Sequence, residues 1–221
     1  MRLGNSEDGD NMSATIITVS NAGFNIASDI REAGILTDAE LIVCDTDADD
    51  LERNSASADC SFLFDGSITA LLPQYRHLVK PIVEEITGSL YIVSALGGKT
   101  SDIYTSLLAI KADSFRRFVW NIITMPAAHE GSETRERAIR TRQYLWMCAD
   151  MFLVQDNNKL STIPELTIGN MNEPIVNTLA IASLFDMRRS INYNKDYTEY
   201  IPEKYRSVVS MYKNIFKYPT I

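Results

Sequence analysis

The residues best equipped for chemistry stand together at Gly97-Gly98-Lys99-Thr100-Ser101-Asp102, where two glycines lead into a lysine, two hydroxyls and an acid. The run Leu90–Ala95 before them has the apolar content of a strand. After them Ile103, Leu107 and Ile110 recur at helical spacing. A strand that feeds a glycine turn at a helix N-terminus can hold a phosphate, because unpaired N–H groups and the helix dipole point at the anion. The bland reading of the same residues is a tight strand-to-helix connection with no ligand. A Walker A loop fits only in its last residues, Gly98-Lys99-Thr100; the first glycine of that motif falls on Val93, inside the strand.

Other polar groups stand at the ends of other apolar runs. Asp45-Thr-Asp-Ala-Asp-Asp50 reads as a solvated acidic turn with a helix cap, and less readily as a magnesium site of hard oxygen ligands. His129 and Glu130 stand in the turn Met125–Gly131, and Asn157 and Asn158 in the turn Gln155–Lys159. His77 and His129 have no spaced metal partner. Cys44, Cys60 and Cys148 show neither metal spacing nor a C-x-x-C pair, and buried thiols at Cys44 and Cys148 are the simpler reading. Arg135, Arg137, Arg140 and Arg142 alternate with Glu133 and Glu136, the pattern of a solvated, ion-paired helix face. No Ser-His-Asp or Cys-His arrangement emerges.

Alternating elements must carry these turns. Thr15–Val19, Leu41–Cys44, Leu90–Ala95, Phe118–Thr124 and Asp150–Val154 read as strands. Helical spacing follows Ser20–Asn25 (Ile26, Ala27, Ile30), covers Gln74–Thr87 despite Pro81, and continues from Gly98 to Ala112. It returns over Ser132–Cys148, with Ala138, Ile139, Leu145 and Trp146 on one face, and from Asn172 to about Arg189 around Val176, Leu179, Ala180, Ser183 and Met187. Residues 53–73 read as irregular, and Val208, Val209, Tyr212 and Ile215 as a last helical pattern. Strands alternating with helices imply an α/β fold: a doubly wound, mainly parallel sheet with helices on both faces in three layers. In such sheets the ligand lies beyond the carboxyl ends of the strands. The expected organisation is a tail over 1–13, a nucleotide-binding domain over 14–190 and an extension over 191–221 packed on the same domain.

The chain has 221 residues, 45% of them hydrophobic and 23% charged, which suits one ample core. A net charge of −8 argues against nucleic acid as a partner. No apolar run is long enough for a membrane span, and the N-terminus lacks a signal-peptide pattern, so the cytoplasm is the expected location.

The order of the turns resembles the nucleotide-binding domain of the FtsZ/tubulin family of GTPases, from about Thr15 to Arg189. Gly23-Phe-Asn25 falls where that family has its first glycine-rich loop, and Asp45-Thr-Asp-Ala48 where it has Asn-Thr-Asp-Ala. Ala95–Thr100 falls on the family's signature loop. Pro126-Ala-Ala-His-Glu-Gly131 matches Pro-Phe-x-Phe-Glu-Gly, and Asn157-Asn-Lys-Leu160 matches Asn-Asp-Lys-Leu. The resemblance implies a site for GTP or GDP, with magnesium as its companion. Gly97, Gly98 and Thr100 would line the phosphates, with Lys99 adding a contact and Asn25 and Ala48 on neighbouring loops. Glu130 would take the ribose hydroxyls, while Asn157 and Asn177 would read the guanine edge. Hydrolysis in the family is completed by acids from the next subunit; here Asn192-Tyr-Asn-Lys-Asp196 keeps the amide but not the acid spacing, and Asp196 is the one candidate. The resemblance also implies head-to-tail self-association or a dimer, and a cell-division or cytoskeletal role.

The sequence departs from the pattern in identifiable places. The first loop holds one glycine, and Lys99, Ser101 and Asp102 replace glycine or threonine. Asp102 brings a charge that repels a phosphate by about 1 kcal/mol at ~4 Å in water. The aligned position of the family's arginine after the Glu-Gly pair is Thr134, with Arg135 beside it. The family's second domain does not fit in this length. The alternative function is a non-enzymatic interaction protein that keeps the fold and uses Tyr193, Tyr197, Tyr200, Tyr205, Tyr212 and Tyr218 as a contact surface. A Rossmann dinucleotide enzyme is disfavoured, because no G-x-G-x-x-G follows the first strand.

Overall fold

In the computed structural model, which describes residues 14–184 and 197–213, seven strands form one sheet in the order β3-β2-β1-β4-β5-β6-β7. The strands β1 (Ala14–Val19), β2 (Glu40–Asp45), β3 (Cys60–Leu63), β4 (Ser89–Ala95), β5 (Phe118–Met125) and β6 (Met151–Asp156) run parallel. The last, β7 (Val209–Lys213), pairs antiparallel with β6, Gln155 opposite Val209. The helices are α1 (Ser20–Glu32), α2 (Ala48–Ser55), α3 (Lys80–Glu84), α4 (Lys99–Ser114), α5 (Ser132–Cys148) and α6 (Glu173–Leu184).

Because successive strand side chains point to opposite faces, the sheet builds two cores. Ile17, Val19, Ile92 and Ile123 meet Val83, Leu107, Ala138 and Leu145 on the side of α3, α4 and α5. Ile16, Val93, Ile122 and Leu153 meet Ile26, Ile30, Ile175 and Leu179 on the side of α1 and α6. The three-layer, doubly wound architecture expected from the alternation is the one observed. Both faces are covered, which is why the central strands are mostly apolar, with Thr18, Ser94 and Asn121 as buried polar exceptions.

The elements differ from the sequence reading in several places. The segment Ser20–Asn25 is not a turn: α1 starts at Ser20, which itself adopts φ 72° and makes the corner alone. Residues 53–73, read as irregular, include the end of α2 and all of β3, an edge strand whose Cys60, Ser61 and Leu63 are exposed and leave no alternation to read. The helix expected over Gln74–Thr87 is a 3-10 turn, Pro73–His77, followed by the short α3, with Pro81 where proline is tolerated at the start of a helix. The last helical pattern is the strand β7, since Val209 and Met211 face the core at period two. On α5, Ala138 and Leu145 are buried but Ile139 is exposed. The Tyr205 side chain is buried and that of Tyr212 meets Trp146 edge-on, so both pack within the domain; Tyr193 and Tyr218 lie outside the described residues.

Candidate functional site

The carboxyl ends of the parallel strands share one rim, and the polar turns follow from it. After β4, Leu96-Gly97-Gly98 leads straight into α4, with Gly98 as a cap that offers no side chain to the helix N–H groups. Gly97 has φ 106°, and a Cβ there would stand 2.6 Å from Thr134 Cγ2 on α5. Only glycine fits both conditions. Its N–H donates to Asp102 Oδ1 at 2.9 Å, and its carbonyl accepts from the Arg137 guanidinium at 2.5 Å. Asp102 is therefore turned inward beneath the turn. Burial pushes its carboxyl up to about 6, against the opposing pull of the Gly97 N–H and the Arg137 charge.

The turn after β2 leans on the glycine turn through the Thr46 and Thr100 hydroxyls, 2.8 Å apart. Its acids serve the backbone: Asp45 Oδ1 accepts from the Thr46 and Asp47 N–H groups, and Asp47 caps α2 by accepting from Asp49 and Asp50. Among the described residues no group of three His, Cys, Asp or Glu side chains converges for a metal. Ala48 opens α2 and is exposed. Gly23 lies within α1, where a Cβ would meet the Val93 carbonyl at 2.6 Å, so this glycine serves close helix–sheet packing; Asn25 is exposed on the same helix.

The turns after β5 and β6 enclose a hollow of about 580 Å³. Glu130 and Asn157 both line it, with His129, Asn158, Leu166 and Met171 among the other walls. Glu130 Oε1 accepts from the Ala127 N–H at 2.6 Å, and Asn158 Oδ1 from the Ala128 N–H at 3.0 Å. Asn157 Oδ1 accepts from Gln155 Nε2 at 2.9 Å. Beneath these turns Arg135 makes a two-pronged pair with Asp156, both contacts 3.0 Å, and donates to the Pro126 carbonyl at 2.6 Å. This fork joins the two turns rigidly.

Thus Glu130 and Asn157 come together, and Gly97, Gly98, Lys99 and Thr100 form a second group, linked through Thr100 to Thr46 of the turn that leads to Ala48. The glycine turn does not line the hollow, and neither does Asn177, whose Nδ2 donates to Glu173 Oε1 at 3.4 Å on α6. Asp196 lies outside the described residues. Sequence reasoning names Asp102, Arg137 and Asn158 but not their contacts. It makes Asp102 a charge repelling a phosphate, Arg137 part of a solvated helix face and Asn158 a turn residue, whereas all three bond to backbone groups. Arg135 appears there as the arginine next to the expected position, without its fork to Asp156.

No protein-family model and no curated protein matches the chain. Solved structures do. FtsZ from M. jannaschii has 19% identity and a TM-score of 0.64, covering 83% of this chain and 58% of that one. TubZ of Clostridium botulinum phage c-st has 13% identity and a TM-score of 0.61, covering 89% and 75%. CetZ1 from Haloferax volcanii, solved as a GDP-bound monomer, has 20% identity and a TM-score of 0.59, covering 77% and 60%. At such identities the likeness is one of fold. The chain spans less than two thirds of the FtsZ and CetZ1 chains.

Proposed function

We propose, from the premise that this chain has the fold of the FtsZ/tubulin nucleotide domain, that it binds a guanine nucleotide at the carboxyl rim of its sheet. The observation that carries the reading is the common hollow of Glu130 and Asn157 on the same rim as the glycine turn. Its volume suits a small ligand, and its mostly apolar walls with a few polar groups are those of a base and sugar site. Glu130 would accept from ribose hydroxyls. Asn157, whose Oδ1 is engaged by Gln155, would offer its Nδ2 donors to a guanine acceptor. The uncapped N–H groups at the start of α4, with Gly97, Gly98, Lys99 and Thr100, suit a phosphate. On the same reading Asn25, Ala48 and Asn177 would contribute from α1, α2 and α6. Magnesium would accompany the nucleotide and supply positive charge at its phosphates.

Hydrolysis would be slow or depend on assembly, with Asp196 as the acid and head-to-tail or dimeric self-association as its context. A cytoplasmic role in cell division or a cytoskeletal assembly follows from this reading. Calorimetric titration with GTP, GDP and ATP at millimolar magnesium tests it. GTP and GDP should bind, and ATP about tenfold more weakly or less. Failure of every nucleotide to bind would remove the function.

A second reading is supported by the exposed Ile139, Tyr144 and Met147 on α5: an interaction protein that keeps the fold without the nucleotide. Nucleotide released from purified protein on acid denaturation favours the first reading over the second.

A further inference from the structure

The inward side of the glycine turn carries a device that the proposed nucleotide site alone does not explain. Gly97 is held from three directions. Its N–H is taken by Asp102 of α4, its carbonyl by Arg137 of α5, and its Cα hydrogens face Thr134 of α5. The two side chains that hold the peptide groups also face each other, Asp102 Oδ2 to Arg137 Nε at 3.9 Å, and Glu133 pairs with the outer edge of the guanidinium at 2.9 Å.

Asp102 is only 7% exposed, and neither its Oδ2 nor Arg137 Nε makes a well-formed hydrogen bond among the described residues. A buried carboxylate and an incompletely satisfied guanidinium are costly groups to keep in a fold. A plain strand-to-helix connection needs neither. What they achieve is to fix a left-handed residue whose orientation decides where the next N–H groups point. Those groups belong to the start of α4, which no side chain caps.

We propose that Asp102 and Arg137 are positioning residues, which set the glycine turn from within so that the N–H groups at the start of α4 face a ligand phosphate. The inference rests on the nucleotide reading and deepens it. Neither residue touches the ligand. Asp102 acts as an acceptor for one amide, and Arg137 as a donor to one carbonyl. Phosphate affinity is thereby assigned to a preorganised turn, and base and sugar affinity to the separate hollow.

The test compares GDP with guanosine, on wild-type protein and on Asp102→Ala, Asp102→Asn and Arg137→Gln, alongside hydrogen exchange at the Gly97 amide without ligand. Losing one buried hydrogen bond predicts that Asp102→Ala weakens GDP by about tenfold while guanosine changes by less than about twofold. Asp102→Asn keeps an amide oxygen for the Gly97 N–H, so it should restore both GDP affinity and slow exchange of that amide. Arg137→Gln should weaken GDP in the same selective way. Equal loss for GDP and guanosine, or an asparagine variant as impaired as the alanine one, would overturn the inference by reducing the pair to general stability. Wild-type protein that binds both ligands, with Asp102→Ala binding both as well, would overturn it alone. Wild-type protein that binds neither ligand would overturn the nucleotide reading first and this inference with it.

Discussion

The glycine turn after β4 and the hollow after β5 and β6 share one rim, but their polar groups face opposite ways. In the turn, the amide and carbonyl of Gly97 are both occupied from the interior by Asp102 and Arg137. In the hollow, Glu130 accepts from the Ala127 N–H of its own turn and Asn158 from the Ala128 N–H across it, and a space of about 580 Å³ remains. The first region is tied tightly from within; the second is roomy and braced from below by the Arg135–Asp156 fork. An anion site gains from backbone donors held before the ligand arrives. A base and sugar site gains from enclosed volume with few, fixed polar groups. On the proposed nucleotide reading, the contrast is between two demands that one ligand would make on one sheet edge.

The largest effect should come from changing the turn itself. Gly97→Ala combines a left-handed φ with a Cβ 2.6 Å from Thr134, and should cost about 3 kcal/mol or more in urea unfolding. Gly98→Ala, at φ −79° and meeting only Ser101 Oγ at 3.1 Å, should stay within about 1 kcal/mol. Equal costs at the two glycines would break the comparison. Next comes the brace under the hollow. Arg135→Ala removes a two-pronged, partly buried pair and a bond to the Pro126 carbonyl, for an expected loss of about 2–3 kcal/mol. Guanosine affinity should fall with it, and unchanged affinity would separate the brace from the hollow.

The smallest expected effect sharpens the electrostatic side. The folded state raises the Asp102 carboxyl from 3.8 to about 6, so it binds that proton more readily than the unfolded chain. Its contribution is fully present below about pH 4 and is lost as pH rises to about 6. Wild-type protein should lose about 1–2 kcal/mol across that window relative to Asp102→Asn, read from the difference between their unfolding curves at each pH. Parallel curves for the two proteins would contradict the buried position of the carboxylate.

Much of this fold was legible in the sequence because its central strands are buried on both faces. Thr15–Val19 is an unbroken apolar or β-branched run, and Leu90–Ala95 and Phe118–Thr124 are each interrupted only once, at Ser94 and Asn121. The periphery was not legible. In α2 the only large apolar residue is Leu51, and the capping by Asp47 is what makes the helix. In β3 only Phe62 turns toward the core, and Val209 with Tyr212 fits a helical spacing as well as a strand. The grouping of Glu130 with Asn157 followed from the turn order. The inward turn of Asp102 did not, because a partner thirty-five positions along, Arg137, meets it only once α4 packs on α5.

The corner at Ser20 has a consequence for chain length. Strand gives way to helix there in one residue, so nothing between β1 and α1 can absorb an insertion. Each added residue would rotate the helix by about 100° about its axis. Gly23 would swing away from the Val93 carbonyl and a bulkier neighbour would arrive in its place. The spacing from Val19 to Gly23 thus works as a ruler, and evolution can change the letters at this corner far more easily than their number.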